Sequence, residues 1–318
     1  MFSACAALLA AGGSSAEEEG DATGTAGEEI IVTATRYGMD RHAVPYTAHV
    51  VSRDDLRHGA MPRTMSDALR EIPGVLVQKT SHGQGSPYLR GLTGYHVLHL
   101  IDGVRLNNAT FRSGPNQYWN TVDPMSVERI EVVAGPGSAL YGSDAVGGTV
   151  NAMTARPWGG EGIHGRTLLR TASGENSETF RQEFSGTRGR LSFTGGATAR
   201  EYGDFDAGRH TGQVPNSGYR EGDADLKVVY AHSADTEIVL LHQRVDQDNV
   251  PRTHATDRSK RYRGTTVGSD KQRELDQRRE LTYVQAHLND PGWLFADAAR
   301  FGASFHVQDE VQDRHRSN

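Results

Sequence analysis

Val127-Glu128-Arg129-Ile130-Glu131-Val132-Val133-Ala134-Gly135-Pro136-Gly137-Ser138-Ala139-Leu140-Tyr141-Gly142-Ser143-Asp144-Ala145-Val146-Gly147-Gly148-Thr149-Val150-Asn151 is the stretch from which the fold is read. Arg129 to Ala134 is rich in β-branched residues and predicts a strand. Gly135-Pro136-Gly137 and Ser143 to Gly148 read as turns, and Thr149 to Thr154 as a returning strand. The glycines suit tight turns; a phosphate loop would need GxxxxGK[ST] at a strand-to-helix junction, which is absent. Just upstream, Asp123-Pro124 predicts a capped short helix with proline at its first position.

Working toward the N-terminus, short elements alternate with polar turns. Ala48 to Ser52, Val75 to Gln78 and His96 to Asp102 read as strands. Thr64 to Ile72 reads as a helix, with Thr64 as cap, Asp67 at the capping-box position, and Pro73-Gly74 as the stop. His96 and His99 are expected to face inward as hydrogen-bond partners. Together these elements predict a small α+β unit.

Beyond Pro157 the rhythm changes to period-two alternation. About seven strands are expected, over 162–171, 178–187, 190–202, 222–232, 237–246, 279–289 and 293–307. The links between them alternate in length. Arg188-Gly189, Ser233 to Thr236 and Asp290-Pro291-Gly292 are short, whereas Asp204 to Glu221 and Gln247 to Gln277 are long and polar. In an up-and-down sheet this puts tight turns at one end and long loops at the other, as in outer-membrane barrels. The first hairpin, Ser173 to Ser177, is short for its place. A soluble sandwich is the other architecture that such strands build. Phe184, Phe193, Tyr202, Tyr230, Tyr283 and Phe295 suit either a membrane-interface girdle or a core.

Composition narrows the function classes. The 318 residues carry 34 Lys plus Arg against 40 Asp plus Glu, a formal charge of -6, which gives no basic footprint for nucleic acid. No run approaches the ~18 apolar residues of a spanning helix, which leaves a strand-built membrane protein open. One cysteine, Cys5, rules out an intrachain disulfide. Residues 1–16 read as a partial signal peptide without a basic start, and Phe2-Ser3-Ala4-Cys5 loosely resembles a lipobox. Residues 17–28 are acidic and glycine-bearing and read as a linker.

The motif set resembles the TonB-dependent outer-membrane receptors. Glu29-Ile30-Ile31-Val32-Thr33-Ala34-Thr35-Arg36 is similar to the TonB box, a β-branched segment suited to joining a partner's sheet edge. Ser66 to Val75 resembles the family's first plug helix and following strand, and Tyr88-Leu89-Arg90-Gly91-Leu92 its "IRG" element. Val97 to Leu106 resembles its "VLVLIDGVR" stretch. The opening stretch is similar to its "VERIEVLRGPxSxLYG" and closing "AxGGVVNI" runs. Ala134 departs from the pattern, standing where the family has a basic residue, so a pairing with Glu131 is lost or replaced.

The resemblance implies an α+β plug over 37–157, followed over 158–318 by an antiparallel transmembrane β-barrel. Seven of about 22 strands are accounted for, so the barrel is expected to be incomplete in this chain. It implies energised import without catalysis. The expected partners are a TonB-type inner-membrane protein, outer-membrane lipid, and a ligand of the ferric siderophore, haem or cobalamin kind; no cofactor, metal site or enzyme activity is expected, and the complete barrel should be monomeric. A stand-alone periplasmic binding or signalling module, or a non-functional truncated product, is the competing reading. Coupling is expected from Glu29, Ile30, Ile31, Val32, Thr33, Ala34 and Thr35. Ligand-facing candidates are Ser81, His82, Gln84 and Tyr88 in one plug loop. Asn107, Asn108, Phe111, Arg112, Asn116, Gln117, Tyr118 and Trp119 are those in the other. Arg90, Arg105, Glu128, Arg129 and Glu131 are expected to form a structural ion-pair network.

Overall fold

The computed structural model describes residues 30–36, 38–40, 43–59, 61–109, 118–207, 212–253, 256–257, 267–293 and 296–316. The predicted signal peptide, the linker and Glu29 lie outside these residues.

Two short strands open the fold, β1 (Ile30–Ile31) and β2 (Met39–Asp40), followed by β3 (Thr47–Ser52). Then come the hairpin β4 (Val75–Lys79) and β5 (Gly85–Leu89), and β6 (Val97–Ile101), β7 (Val104–Arg105), β8 (Val127–Ala134), the single helical turn α1 (Ser138–Tyr141) and β9 (Gly148–Thr154). The larger unit comprises β10 (Gly162–Ala172), β11 (Ser177–Arg188), β12 (Leu191–Tyr202), the loop ribbon β13 (Asp206–Ala207) and β14 (Gly212–Gln213), β15 (Tyr219–Ala231), β16 (Thr236–Pro251), β17 (Asp270–Trp293) and β18 (Ala296–Arg316).

The first unit is a five-stranded sheet in the order β3-β8-β9-β6-β7, with only β6 and β9 parallel. The second is a seven-stranded antiparallel meander, β10-β11-β12-β15-β16-β17-β18. It is a partial barrel whose concave face holds the first unit. Alternation explains its two faces. Leu169, Phe184, Leu226, Phe301 and Phe305 point outward and are exposed, while Arg181, Glu183, Arg200, Asp223 and Lys227 point inward and are buried. The two units share one core: Met65, Leu69, Ile101, Trp119, Ile130 and Val150 pack with Val229, Val239, Leu241, Leu281 and Tyr283 of the wall.

Several expectations change. The predicted helix over Thr64 to Ile72 is a chain of turns around a 3-10 segment, Asp67–Leu69. The cap position is Ser66 rather than Thr64, whose Oγ1 accepts from Asp67 N–H at 3.4 Å, and Met65, Leu69 and Ile72 are all buried. Residues 85–88, expected in the plug loop with Ser81 and His82, lie in strand β5, because they pair in register with β4. The long loop expected over Gln247 to Gln277 is shorter, since β16 runs to Pro251 and β17 starts at Asp270. Those strand extensions are mostly charged and polar, with Val250 and Leu275 isolated among them, so no repeated apolar face betrays them in the sequence. Tyr202 and Tyr283 are interior, Phe184 and Tyr230 exterior, and Phe295 lies outside the described residues. His96 is exposed in a turn, against expectation, whereas His99 is buried, packs on Trp119 and hydrogen-bonds the Asn107 side chain, so only His99 is an inward hydrogen-bond partner.

Candidate functional site

The segment expected to be extended is not extended throughout. Only Ile30–Ile31 is strand, paired with β2, and residues 32–36 fold back as a turn closed by Arg36 N–H to Val32 O at 2.8 Å. Ile31, Thr33 and Ala34 are buried, and Val32 and Thr35 are half-buried. The turn docks on β8. Glu131 Oε2 accepts from Val32 N–H at 3.0 Å, Thr33 N–H at 2.8 Å and Thr33 Oγ1 at 2.6 Å. Its other oxygen accepts from Arg129 Nε at 2.9 Å, so Arg129 supplies the cation that Ala134 does not.

The expected network therefore separates into clusters. Arg129 and Glu131 form one, and Arg53 with Glu128 at 2.8 Å forms another. Arg105 forms a third with Asp144 at 3.0 Å and the carbonyls of Tyr141 and Ser143. Arg90 is exposed and makes no ion pair among the described residues; its positive φ of 50° belongs to the turn after β5.

At the far end, the turn carrying Ser81, His82 and Gln84 is buried against the wall. The His82 ring stacks on Phe205 at 4.1 Å, and Asn120 Nδ2 donates to Gly83 O at 3.0 Å. A Cβ on Gly83 would sit 2.7 Å from Val250 Cγ1, so only glycine allows this approach. Tyr88 is in β5, its hydroxyl donating to Gln78. Asn107 is buried and donates to Val97 O, while Asn108 donates to Gln308 of β18 at 2.6 Å. Tyr118 and Trp119 are core residues. Phe111, Arg112, Asn116 and Gln117 lie outside the described residues.

His82 is held neutral. Burial, then Arg63 and Lys79, lower its pKa to about 4, and Arg63 Nη1 donates to its Nε2. An undocked ring would titrate near 6.5, so docking is at full strength above that value and weakens as pH falls toward 4. Hydrogen exchange at residues 80–84 should therefore speed up from pH 7 to pH 5 relative to the central sheet. His82→Phe, which keeps the stacking, should flatten that difference.

The interface between the units carries charges that the sequence reading did not assign. Asp123 caps the 3-10 turn Pro124–Ser126 through Met125 N–H at 2.8 Å. Its carboxylate also meets Arg181 at 3.1 Å, Thr198 Oγ1 at 2.7 Å and Arg200. Around it, Arg57 pairs with Glu183, and Arg200 with Glu221 and Asp223. Burial would push the Asp123 carboxyl up, but Arg200 and Arg181 overcome this and hold it at about 2. A signal existed: Arg181, Glu183, Arg200, Glu221 and Asp223 all occupy the inward register of apolar-faced strands. A second tether is Asp102, which accepts from Thr154 N–H at 2.9 Å and Tyr283 OH at 2.6 Å and faces Lys227 at 3.3 Å. No cluster of metal-ligating side chains occurs among the described residues.

The two candidate regions sit at opposite ends of the wall. Val32 and Arg36 border a cavity of about 690 Å³ with Arg300 and Gly302, near the short-turn end. His82 and Gln84 meet Phe205 and Val250, at the end of the long connections.

Residues 40–149 match the TonB-dependent receptor plug domain family. A vitamin B12 transporter, BtuB, of Vibrio vulnificus is 31% identical over 182 residues, covering 56% of this chain and 28% of that protein. The siderophore receptor PirA of Pseudomonas aeruginosa matches with a TM-score of 0.55 at 23% identity, over 83% of this chain and 42% of that one. The copper transporter OprC matches at 0.65 and 18% identity, over 84% and 38%. The chain thus spans well under half the length of each of these relatives.

Proposed function

We propose that the chain is part of a TonB-dependent outer-membrane receptor, seated in the outer membrane with its plug toward the periplasm, and that it serves energised import of a large, scarce ligand; the plug-domain match over residues 40–149 and the 31% identity to a vitamin B12 transporter support this. The ligand class is that of ferric siderophores, haem or cobalamin. In this reading residues 37–157 are the plug and 158–318 barrel strands. Ligand engages the plug and loops at the long-connection end. A TonB-type partner engages residues 29–35 at the short-turn end and pulls. The chain acts by gated binding and conformational change, not by catalysis.

The observation that carries the reading is the separation of those two regions across one plug. A β-branched segment docked at the short-turn end suits capture by a partner's sheet edge once it is released. The plug between them is tethered to the wall by Asp123 and Asp102, so a disturbance at one end reaches the other through packed, hydrogen-bonded structure.

Ile31 is fully buried in the docked state, so it reports release. With Cys5 changed to serine in the intact importer, Ile31→Cys should crosslink to the TonB-type partner, and more so when ligand is bound. Absence of any crosslink under both conditions would remove the coupling assignment.

A further inference from the structure

Thr33 is the most heavily held residue of the docked segment. Besides its two bonds to Glu131, Asn151 Nδ2 donates to Thr33 Oγ1 at 3.0 Å and Tyr141 OH donates to Thr33 O at 2.9 Å. Sheet register makes this convergence possible. Glu131 and Asn151 are cross-strand partners in β8 and β9, so their side chains emerge side by side on one face. The segment's own strand pairing is slight by comparison, amounting to two residue pairs with β2. Glu131 is fully buried, and one of its oxygens takes three donors from residues 32 and 33. A carboxylate in that setting binds strongly, because charged acceptors make the stronger hydrogen bonds and neither partner has water to fall back on.

We propose that Glu131 is a latch: its charge holds residues 30–36 docked on the plug and sets the fraction of molecules in which the segment is free to pair with another strand. This rests on the coupling role proposed above for what the freed segment does, but the latch itself belongs to this chain and is measurable without a partner. Docking uses up the features that strand addition needs. Residues 32–36 are turned rather than extended, and Ile31 is already paired with Met39. The cavity beside Val32 and Arg36 leaves room for the segment to lift off without moving the wall. Asn151 also accepts from Gly103 N–H at 3.2 Å, next to the Asp102 tether, so the second arm of the latch touches the plug–wall contact.

The test is amide hydrogen exchange on the intact protein in detergent. Glu131→Gln should raise exchange at Ile31 through Arg36 by about tenfold or more, the size expected for losing a charged hydrogen bond. The Arg36 amide is the decisive one, since its acceptor is Val32 O and not Glu131. Amides of β6 and β9 should keep their protection. Unchanged exchange at residues 31–36 overturns the latch. If Glu131→Gln loosens the whole sheet, Thr33→Val decides, because it removes only the hydroxyl arm. A rise confined to residues 31–36 upholds the proposal and no rise defeats it. Crosslinking from Ile31→Cys in the Glu131→Gln background separates the two ideas. Faster local exchange without more partner crosslinking keeps the latch and removes the coupling role.

Discussion

Asp123→Ala will loosen the plug from the strand wall, lowering resistance to denaturant by about 3 kcal/mol, at the lower end of the ~3–5 kcal/mol cost of breaking a buried ion pair. Asp123 is 3% exposed and binds two wall arginines, a wall threonine and its own cap amide. The loss stays near that lower end because Arg181 and Arg200 keep Glu183, Glu221 and Asp223 as partners. Asp123→Asn keeps a cap acceptor and should fall between the two. The pH dependence follows from a folded pKa of about 2 against an ordinary value of 3.8. The contribution is complete above about pH 4 and disappears as pH falls through 2. Denaturant unfolding in micelles, with limited proteolysis of the plug, reads both effects. A wild-type midpoint for Asp123→Ala would show that the cluster contributes nothing net.

Asp102→Ala should be at least as damaging, by about 3–5 kcal/mol, because it strands a buried ammonium. Lys227 is 6% exposed, and the Asp102 carboxylate is its ion-pair partner. Burial opposes ionisation of Asp102, but Lys227 and the bonds from Thr154 and Tyr283 hold its pKa below the usual range. The informative variant is the double one. Adding Lys227→Met removes the stranded charge, so Asp102→Ala/Lys227→Met should be more stable than Asp102→Ala alone. Additive losses in that cycle would mean that the two groups are not energetically paired. Asp102 also occupies a φ of 47°, which alanine tolerates poorly, so part of the single-variant loss will not be recovered.

The turns and strands over 127–154 were legible in the sequence because glycines and β-branched runs report local backbone geometry. The seven wall strands were legible because alternation is itself the mark of a two-faced sheet. The strand extensions to Pro251 and from Asp270 were not, since there Val250 and Leu275 stand alone among charged and polar residues and make no visible alternation. Sequence places Glu131 in a structural network, but its main partners are 98 and 99 positions away. Only the docking of the turn over residues 32–36 on β8 brings them together. Trp119 looked like a ligand contact from its polar neighbours, yet it fills the core between plug and wall.

The order of strands in the plug has a mechanical consequence. A load applied at residues 30–36 passes along the chain to β3, an edge strand held on one side only, by β8. Strands β8, β9 and β6 have neighbours on both sides, and Asp102, at the turn after β6, is fastened to the wall. Tension from the proposed partner is therefore expected to fall first on the β3–β8 pairing, while the half bearing β6 and β9 stays anchored. Under the proposed coupling, this order of strands predicts yielding in sections, with the β3 border giving way before the half that bears β6 and β9.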